Sequence, residues 1–367
     1  MSIIVLSHKI QIKNPTVKQE QYFRQACGTS RFAYNWGLVE WKKQYGAGKK
    51  PTARTVRTVF NAVKPVDFPW VFNVTKCAAE QAFSDLGTAF KRFFRHIGGY
   101  PHFKKKGTHD SFYLSNDQFK LSENQVRIPK LGWVKLTESL RFSGKILSAT
   151  VSRIADKWFV SICVQMETTP FKKSENQALV VGIDLGVKKL ATLSNGETVE
   201  CAKPLKKLSR RLVQLQRHLA RCSKGSKRYI RQKMKIARLH YRISCIRQDG
   251  LHKLTHRLCQ SVRVICLEDL NVKGMLKNHK LAKAISDMGF YEFKRQVEYK
   301  AALFGNWISI VSKWFPSSKK CSNCDNKKED LTLSERTYHC HHCGFEIDRD
   351  LNAAINIERE GTRILVY

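Results

Sequence analysis

Acidic residues are scarce: the chain holds 30 Asp and Glu against 66 Lys and Arg, a net charge of +36 at neutral pH. An excess of that size repels itself in the free protein, and a large polyanion is its natural counterion. An anionic membrane surface would accept the same charge, so composition leaves nucleic acid as the leading partner class, not the sole one. Long apolar runs are also missing. No stretch approaches the roughly 20 consecutive apolar residues needed to span a bilayer. The apolar start, Ile3 to Leu6, has neither the length nor the preceding basic segment of a secretory signal. A disulfide scaffold is excluded by pattern: of twelve cysteines, eight are scattered singly among apolar neighbours, as at Cys163 and Cys266. They read as small buried residues of a reducing compartment, which points to a cytoplasmic protein without a membrane partner. Wholesale disorder is excluded too, because 42% hydrophobic and 10% aromatic residues over 367 positions supply core for two or more domains.

Periodicity divides the chain. Residues 1–14 alternate as a strand does, through Ile3, Val5, Ser7 and Ile10. Two stripes at helical spacing follow, one through Phe23, Cys27, Phe32, Trp36, Leu38 and Trp41, the other through Ala78, Ala82, Phe83, Leu86, Phe90 and Phe93. Gly98-Gly99 and Pro101 end the second helix. From about 100 to 170 the period is two, with short strands at 126–128 and 133–136 and a hairpin of 146–154 with 158–165 around Ala155-Asp156-Lys157. The first strand is expected to join this sheet. Residues 168–178 form a polar linker. Beyond it, Leu179 to Asp184 reads as a buried strand, with Lys189 to Ser194 as its hairpin partner and Asn195-Gly196 as the turn.

Residues 202–248 then read as two helices broken near Ser223-Lys224-Gly225. Leu205, Leu208, Leu212, Leu215 and Leu219 form one apolar stripe, and Ile236, Leu239, Ile243 and Ile246 the other. This segment holds 16 Lys or Arg and no Asp or Glu. A charge run is usually a solvated helix face, but a run without one compensating acid is better explained by a hairpin whose seam packs while its basic faces lie along phosphates.

Two constellations carry chemistry. Cys321-x2-Cys324 and Cys340-x2-Cys343 are separated by 15 residues, the spacing of a four-cysteine zinc site. Asn323 and Gly344 are expected to turn the two knuckles. His339, His341 and His342 stand nearby as alternative ligands, although solvent or phosphate contact is their default. Because protein fills all four positions, the Zn2+ is read as structural. The second constellation is acidic. Asp184 ends an apolar strand in Gly-Ile-Asp-Leu-Gly, Glu268 ends another in Val-Ile-Cys-Leu-Glu, and Asp350 opens the helical segment Leu-Asn-Ala-Ala-Ile-Asn-Ile. Each acid alone has a bland explanation as a cap or an ion-pair partner. Together, at strand and helix ends, they repel unless hard divalent cations neutralise them. Mg2+ (or Mn2+) in a two-metal site for phosphodiester hydrolysis is the chemistry they fit.

The order of these segments resembles the TnpB (OrfB) proteins encoded by insertion sequences, which are similar to compact type V CRISPR effectors. The resemblance runs through Gly-Ile-Asp184-Leu-Gly-Val-Lys-Lys-Leu-Ala-Thr, Leu-Glu268-Asp-Leu-Asn-Val-Lys-Gly-Met, Pro316-Ser-Ser-Lys-Lys-Cys321-Ser-Asn-Cys324, Cys340-x2-Cys343-Gly and Asp348-Arg-Asp350-Leu-Asn-Ala-Ala. The weaker N-terminal segments Ser30-Arg-Phe-Ala-Tyr-Asn-Trp36 and Gly99-Tyr-Pro-His-Phe-Lys104 match as well. The resemblance implies an RNA-guided DNA endonuclease, bound to a guide RNA from the element's own end and acting on target DNA. It implies a RuvC-like site with Asp184, Glu268 and Asp350 as the catalytic metal ligands, a single protein copy in the ribonucleoprotein, and a prokaryotic source. The fold it implies is α/β and multidomain: an RNase H-like RuvC domain (179–315 and 345–367) with an inserted basic hairpin (202–248) and a zinc ribbon (316–344). Before these stands a small β-barrel-like wedge domain (1–14 and 97–168) with a helical recognition insertion (15–96), joined through a linker (169–178).

Three rivals remain on the residues alone. Gly-Ile-Asp-Leu-Gly also resembles the phosphate-binding turn of actin-like and Hsp70-like ATPases, but no further glycine-rich phosphate loops accompany it and the charge does not suit one. A zinc-ribbon DNA binder or repressor needs no intact acids, and here all three are intact. A strand-joining transposase would use a similar acid triad.

Overall fold

Alternating and helical stripes in the first 167 residues resolve into a sheet-and-helix unit, and the rest of the chain forms a second; the compact units are Ile3–Glu167 and Thr168–Tyr367 with Met1–Ser2. The computed structural model describes residues 2–168, 180–332 and 334–366, so the expected linker at 169–178 lies outside the described residues, as does Leu179.

The first unit runs β1 (Ser2–Gln11), α1 (Val17–Gly46), α2 (Ala53–Asp67), a 3-10 turn (Pro69–Asn73), α3 (Cys77–Phe94), β2 (Ser111–Ser115), β3 (Lys120–Ser122), β4 (Gln125–Ile128), β5 (Gly132–Lys135), β6 (Lys145–Ile154) and β7 (Lys157–Thr168). Helix α1 starts on a capping box: Gln19 N–H donates to Thr16 Oγ1 at 3.2 Å, and Thr16 N–H to Gln19 Oε1 at 3.0 Å. The aromatic stripes of α1 and α3 bury against each other, and Trp41 stacks on Phe90 with ring centroids 4.2 Å apart. Trp36 packs on Phe60, so both tryptophans are occupied by packing. Helix α2 is not one of the two marked by aromatic stripes; its Thr- and Val-rich sequence and Pro65 in the last turn weaken its helical signal.

The strands form an open four-stranded sheet in the order β1-β7-β6-β2 and a separate meander β3-β4-β5. The first strand joins the sheet as expected. The barrel-like closure is not seen among the described residues: a single bridge, Ile12 to Leu136, links the two ladders, although Ile10, Val126, Val134 and Trp158 share one core.

The second unit runs β8 (Val180–Leu185), β9 (Ala191–Leu193), β10 (Thr198–Val199), α4 (Pro204–Ala220), α5 (Lys227–Ser261), β11 (Val264–Glu268), α6 (Val272–Leu276), α7 (Ala282–Met288), α8 (Phe290–Phe304), β12 (Trp307–Val311), β13 (Thr337–His339), β14 (Glu346–Asp348) and α9 (Arg349–Val366). Its sheet has the order β10-β9-β8-β11-β12. Strands β8, β11 and β12 are parallel neighbours, and β9 is antiparallel to both β8 and β10. Asn195-Gly196 follows β9 and closes the β9–β10 hairpin, not the β8–β9 one. The second hairpin helix runs well past Gln248, to Ser261, because Leu251, Leu254 and Leu258 extend its apolar stripe into the main core.

Helix α9 lies against this sheet at van der Waals limits. A Cβ on Gly182 would stand 2.1 Å from the Ala354 carbonyl oxygen and 2.5 Å from the Glu358 nitrogen; one on Gly361 would stand 2.4 Å from Cys266 Sγ. Glycine is required at both places for lack of space, not for backbone freedom. Gly182→Ala should therefore lower the thermal midpoint by several degrees, from an overpacking cost of about 1–3 kcal/mol or more. Gly99→Ala, with nothing within 4 Å of the new methyl, should leave it unchanged; equal midpoints in a thermal melt would refute the contact.

Candidate functional site

Parallel pairing places two of the three acids side by side. Ile183 is in register with Leu267, so Asp184 and Glu268 are the next residues of adjacent strands at their carboxyl ends. Strand β8 is also where the sheet changes direction, with antiparallel β9 on its other side. In open α/β sheets ligands bind outside the carboxyl ends of the parallel strands.

The third acid arrives on α9. Asp348, not Asp350, caps that helix: its Oδ1 accepts the N–H groups of Asp350 and Leu351, both at 3.0 Å. Relieved of capping, the Asp350 carboxylate faces the strand ends, and its nearest cation is Arg349, Nε to Oδ1 3.8 Å. Burial, reinforced by the negative field of Asp350 and Glu268, pushes the Asp184 carboxyl from 3.8 up to about 7. Burial and the neighbouring Asp269 push Glu268 up as well. The structure thus brings all three predicted acids into one electrostatic neighbourhood, in which Asp350 and Glu268 raise the cost of ionising Asp184. A cluster of hard oxygen donors under mutual repulsion suits a divalent cation.

The four cysteines meet as predicted. Their sulfurs all lie within 4.8 Å of one another, with Cys321 to Cys343 at 3.8 Å and Cys324 to Cys340 at 3.6 Å. A zinc ion bound at about 2.3 Å has a tetrahedron edge of about 3.8 Å, so the set fits structural zinc. Among the described residues it is the one group of three or more such ligands drawn that close, and the three acids are not. None of His339, His341 and His342 belongs to it; His341 lies 3.9 Å from Asp330. The left-handed turns fall at Asp325 and Gly344, each directly after a knuckle. Asn323 plays a different part: its N–H and side-chain amide point at Cys321 and Cys343 sulfur, at 3.4 and 3.7 Å. The Phe345 N–H pulls the exposed Cys343 thiol down to about 6, toward the thiolate a metal needs. Of the scattered cysteines, Cys27, Cys77, Cys259 and Cys266 are buried, whereas Cys163 is half-buried and Cys245 exposed.

Sequence reasoning missed the residues that join these two centres. Asn352 and Asn356, both buried on α9, clasp the loop of the first knuckle. Asn352 donates to Lys320 O at 2.7 Å and accepts from Ser322 N–H at 2.9 Å; Asn356 donates to Ser317 O at 2.8 Å and Lys320 O at 2.6 Å. The available signal was two asparagines one turn apart in an otherwise apolar helix, where asparagine is unfavourable unless its side chain has work to do. Asp287 was missed too. Buried on α7, it accepts the N–H groups of Leu205 and Lys206 at 3.1 and 3.0 Å and so caps α4, which has no side-chain cap of its own. Arg247 of α5 reaches the same carboxylate at 3.3 Å. This anchors a hairpin whose seam is Leu212, Leu239 and Ile243 and whose outer faces expose Lys207, Arg210, Arg231, Lys235 and Arg242.

Comparison with known proteins bears on the family and the fold. Residues 161–279 match the OrfB profile of IS605-type elements, described as "Probable transposase", and residues 290–357 match a Cas12f1-like TNB domain. Over 97% of its length the chain is 32% identical to "Putative RNA-guided DNA endonuclease InsQ" of Escherichia coli (strain K12), covering 92% of that protein. It is 33% identical to a "Putative RNA-guided DNA endonuclease" of Streptomyces pristinaespiralis, over 95% of this chain and 87% of the other. The chain belongs to the TnpB (OrfB) family. Its fold is that of the Cas12f1 chain in a Cas12f1–sgRNA–target DNA complex, with a TM-score of 0.60 at 14% identity, over 97% of this chain and 99% of that one. Residues 1–50 match the family's helix-turn-helix profile, yet in this TnpB-family chain they hold strand β1 and the whole of the single unbroken helix α1, which ends at Gly46. Among the described residues no helix is long and apolar enough to cross a membrane.

Two outcomes are expected here. Cys324→Ser should release zinc, read by atomic emission, and lower the thermal midpoint of the unit that Asn352 and Asn356 tie to the knuckle; unchanged zinc content would contradict the site. The second concerns pH. Between about 4 and 7 the folded chain keeps an Asp184 proton that the unfolded chain has lost, so this group makes stability fall as pH rises, with the full loss above 7. In buffer free of added divalent ions, Asp184→Asn should therefore melt higher than the parent above pH 7 and equally below pH 4. A variant that melts lower at pH 8 would contradict the repulsion.

Proposed function

We infer that this chain is an RNA-guided DNA endonuclease whose phosphodiester hydrolysis takes place at Asp184, Glu268 and Asp350. The observation that carries the reading is the convergence of these acids at the carboxyl ends of β8 and β11, with Asp184 pushed up to about 7 by burial and by the other two. Asp184, Glu268 and Asp350 would hold Mg2+ or Mn2+. Bound there, a metal pair supplies an activated water and charge neutralisation at the phosphodiester. The acids' own contribution is to stand preformed on two paired strands and one packed helix, so little is left to order when the substrate arrives. Asp348 holds the first turn of α9, and the four-cysteine zinc holds the loop that Asn352 and Asn356 grip.

The partners follow from family and charge together. Relatives carry the name RNA-guided DNA endonuclease, and a net charge of +36 suits a protein enclosed in RNA and DNA. The basic hairpin at 202–248 lies along phosphates. The first unit, with its wedge-like sheets (1–14 and 97–168) and helical insertion (15–96), holds guide RNA and target, while base pairing reads the sequence. One protein copy acts in each ribonucleoprotein.

The test is to express the chain with its native flanking DNA, sequence the copurifying RNA, and supply target DNA matching the guide end. One structured RNA with a constant part and a flank-matching end is expected, with cleavage in Mg2+. Asp184→Ala should lower cleavage by about a hundredfold or more, from the several kcal/mol a metal clamp contributes, while target affinity stays within about threefold. Full cleavage by the variant would remove the acids from the mechanism. Joined strands in place of cut ends would identify a transposase.

A further inference from the structure

Beside Glu268, the loop after β11 and the start of α8 enclose a cleft of about 450 Å³, a volume of ligand size. Its floor is apolar, with Leu185, Leu270 and Phe290 among the lining residues, and its rim carries basic and aromatic residues together with an exposed acid, Glu298. Lys294 is committed to Asp269 at 3.0 Å, and Arg295 to Glu292 through two bonds of 2.7 and 2.8 Å. Lys273 and Lys313 are different: both are exposed and carry no ion pair among the described residues. Tyr291, on the same rim, leaves 71% of its surface in solvent. An apolar floor, two ammonium groups without a carboxylate partner (that of Lys313 lies over the Trp314 ring, 5.0 Å from its centroid) and one bare ring beside a carboxylate site are the elements of a pocket for one unstacked nucleotide. The base meets the ring, and the lysines meet the phosphates on either side.

We propose that this cleft is a nucleotide subsite, in which Tyr291 stacks on a base of the single strand next to the scissile phosphate while Lys273 and Lys313 hold its flanking phosphates. The inference rests on the nuclease reading, because the occupant is defined by its distance from Glu268. It adds a direction: the strand leaves the acids across α8. It also makes Tyr291 a positioning residue, which sets how the strand lies and takes no part in proton or metal chemistry.

The experiment uses the full chain with its copurifying RNA. In the Asp184→Ala form, an oligothymidylate bearing 5-iodouracil at successive positions is irradiated and the adducts are mapped by mass spectrometry. An adduct on Tyr291 from one position, with about tenfold weaker oligothymidylate binding in Tyr291→Ala and near-parental binding in Tyr291→Phe, is the expected result. In the otherwise unmodified protein, Tyr291→Ala should also blur the cleavage position, and Lys273→Gln with Lys313→Gln should flatten the salt dependence of oligothymidylate binding. Adducts only elsewhere, together with parental binding by Tyr291→Ala, would overturn the subsite while leaving the nuclease intact. A Tyr291 adduct in a protein that never cleaves would instead keep the subsite and remove the nuclease reading.

Discussion

Where α9 crosses β8 there is no room for a side chain, and much of what the second unit brings together follows from that contact. Gly182 lets the helix backbone rest on the strand, and Gly361 lets the same helix rest on Cys266 farther along. With the helix seated at both points, Asp350 at its first turn reaches Asp184 at the end of β8. Asn352 and Asn356 are likewise fixed where they grip the zinc-knuckle loop. The repulsion among the acids opposes this assembly, and the packing of α9 overrides it. The cost falls on Asp184, whose carboxyl is pushed up to about 7 by burial and by the other two acids, a pattern frequent at functional sites.

The zinc ribbon gains a physical role from the same helix. One ion satisfying the four clustered cysteines would fix the loop from Ser317 to Ser322, and buried asparagines tie that loop to the helix that carries Asp350. The basic hairpin is anchored comparably. Asp287, a buried acid, caps α4 and binds Arg247 of α5, so the one acid in the hairpin's anchorage comes from outside its sequence. A segment so rich in like charge needs such an external clamp, because its own apolar seam is short.

Much of this was legible before any coordinates. The apolar runs ending in Asp184 and Glu268 signalled buried strands, and alternation marked the β6–β7 hairpin and the place of β1 in its sheet. The cysteine spacing specified a knuckle pair whose sulfurs do meet. What was not legible depends on distance in three dimensions. Nothing local marks Asp287 as the cap of a helix some 80 residues earlier. Nor does anything local mark Asp348, two residues before Asp350, as the residue that caps α9. Barrel closure depends on which edge strands pair, and alternation is silent on that, so two open sheets over one core were not foreseen. Helix α2 was hidden by its β-branched residues, and the end of α5 was misread because its stripe passes from the hairpin seam to the main core without a break in period.

The central claim is that repulsion among Asp184, Glu268 and Asp350 is poised for a divalent cation. It is tested most directly by thermal melts of the purified chain and of Asp184→Asn across a millimolar range of Mn2+ at pH 8, with zinc retained throughout. The account predicts a midpoint that climbs with Mn2+ in the parent, as binding to the folded state requires, and a nearly flat response in the variant. A parent indifferent to Mn2+, or a variant that climbs equally, would contradict it.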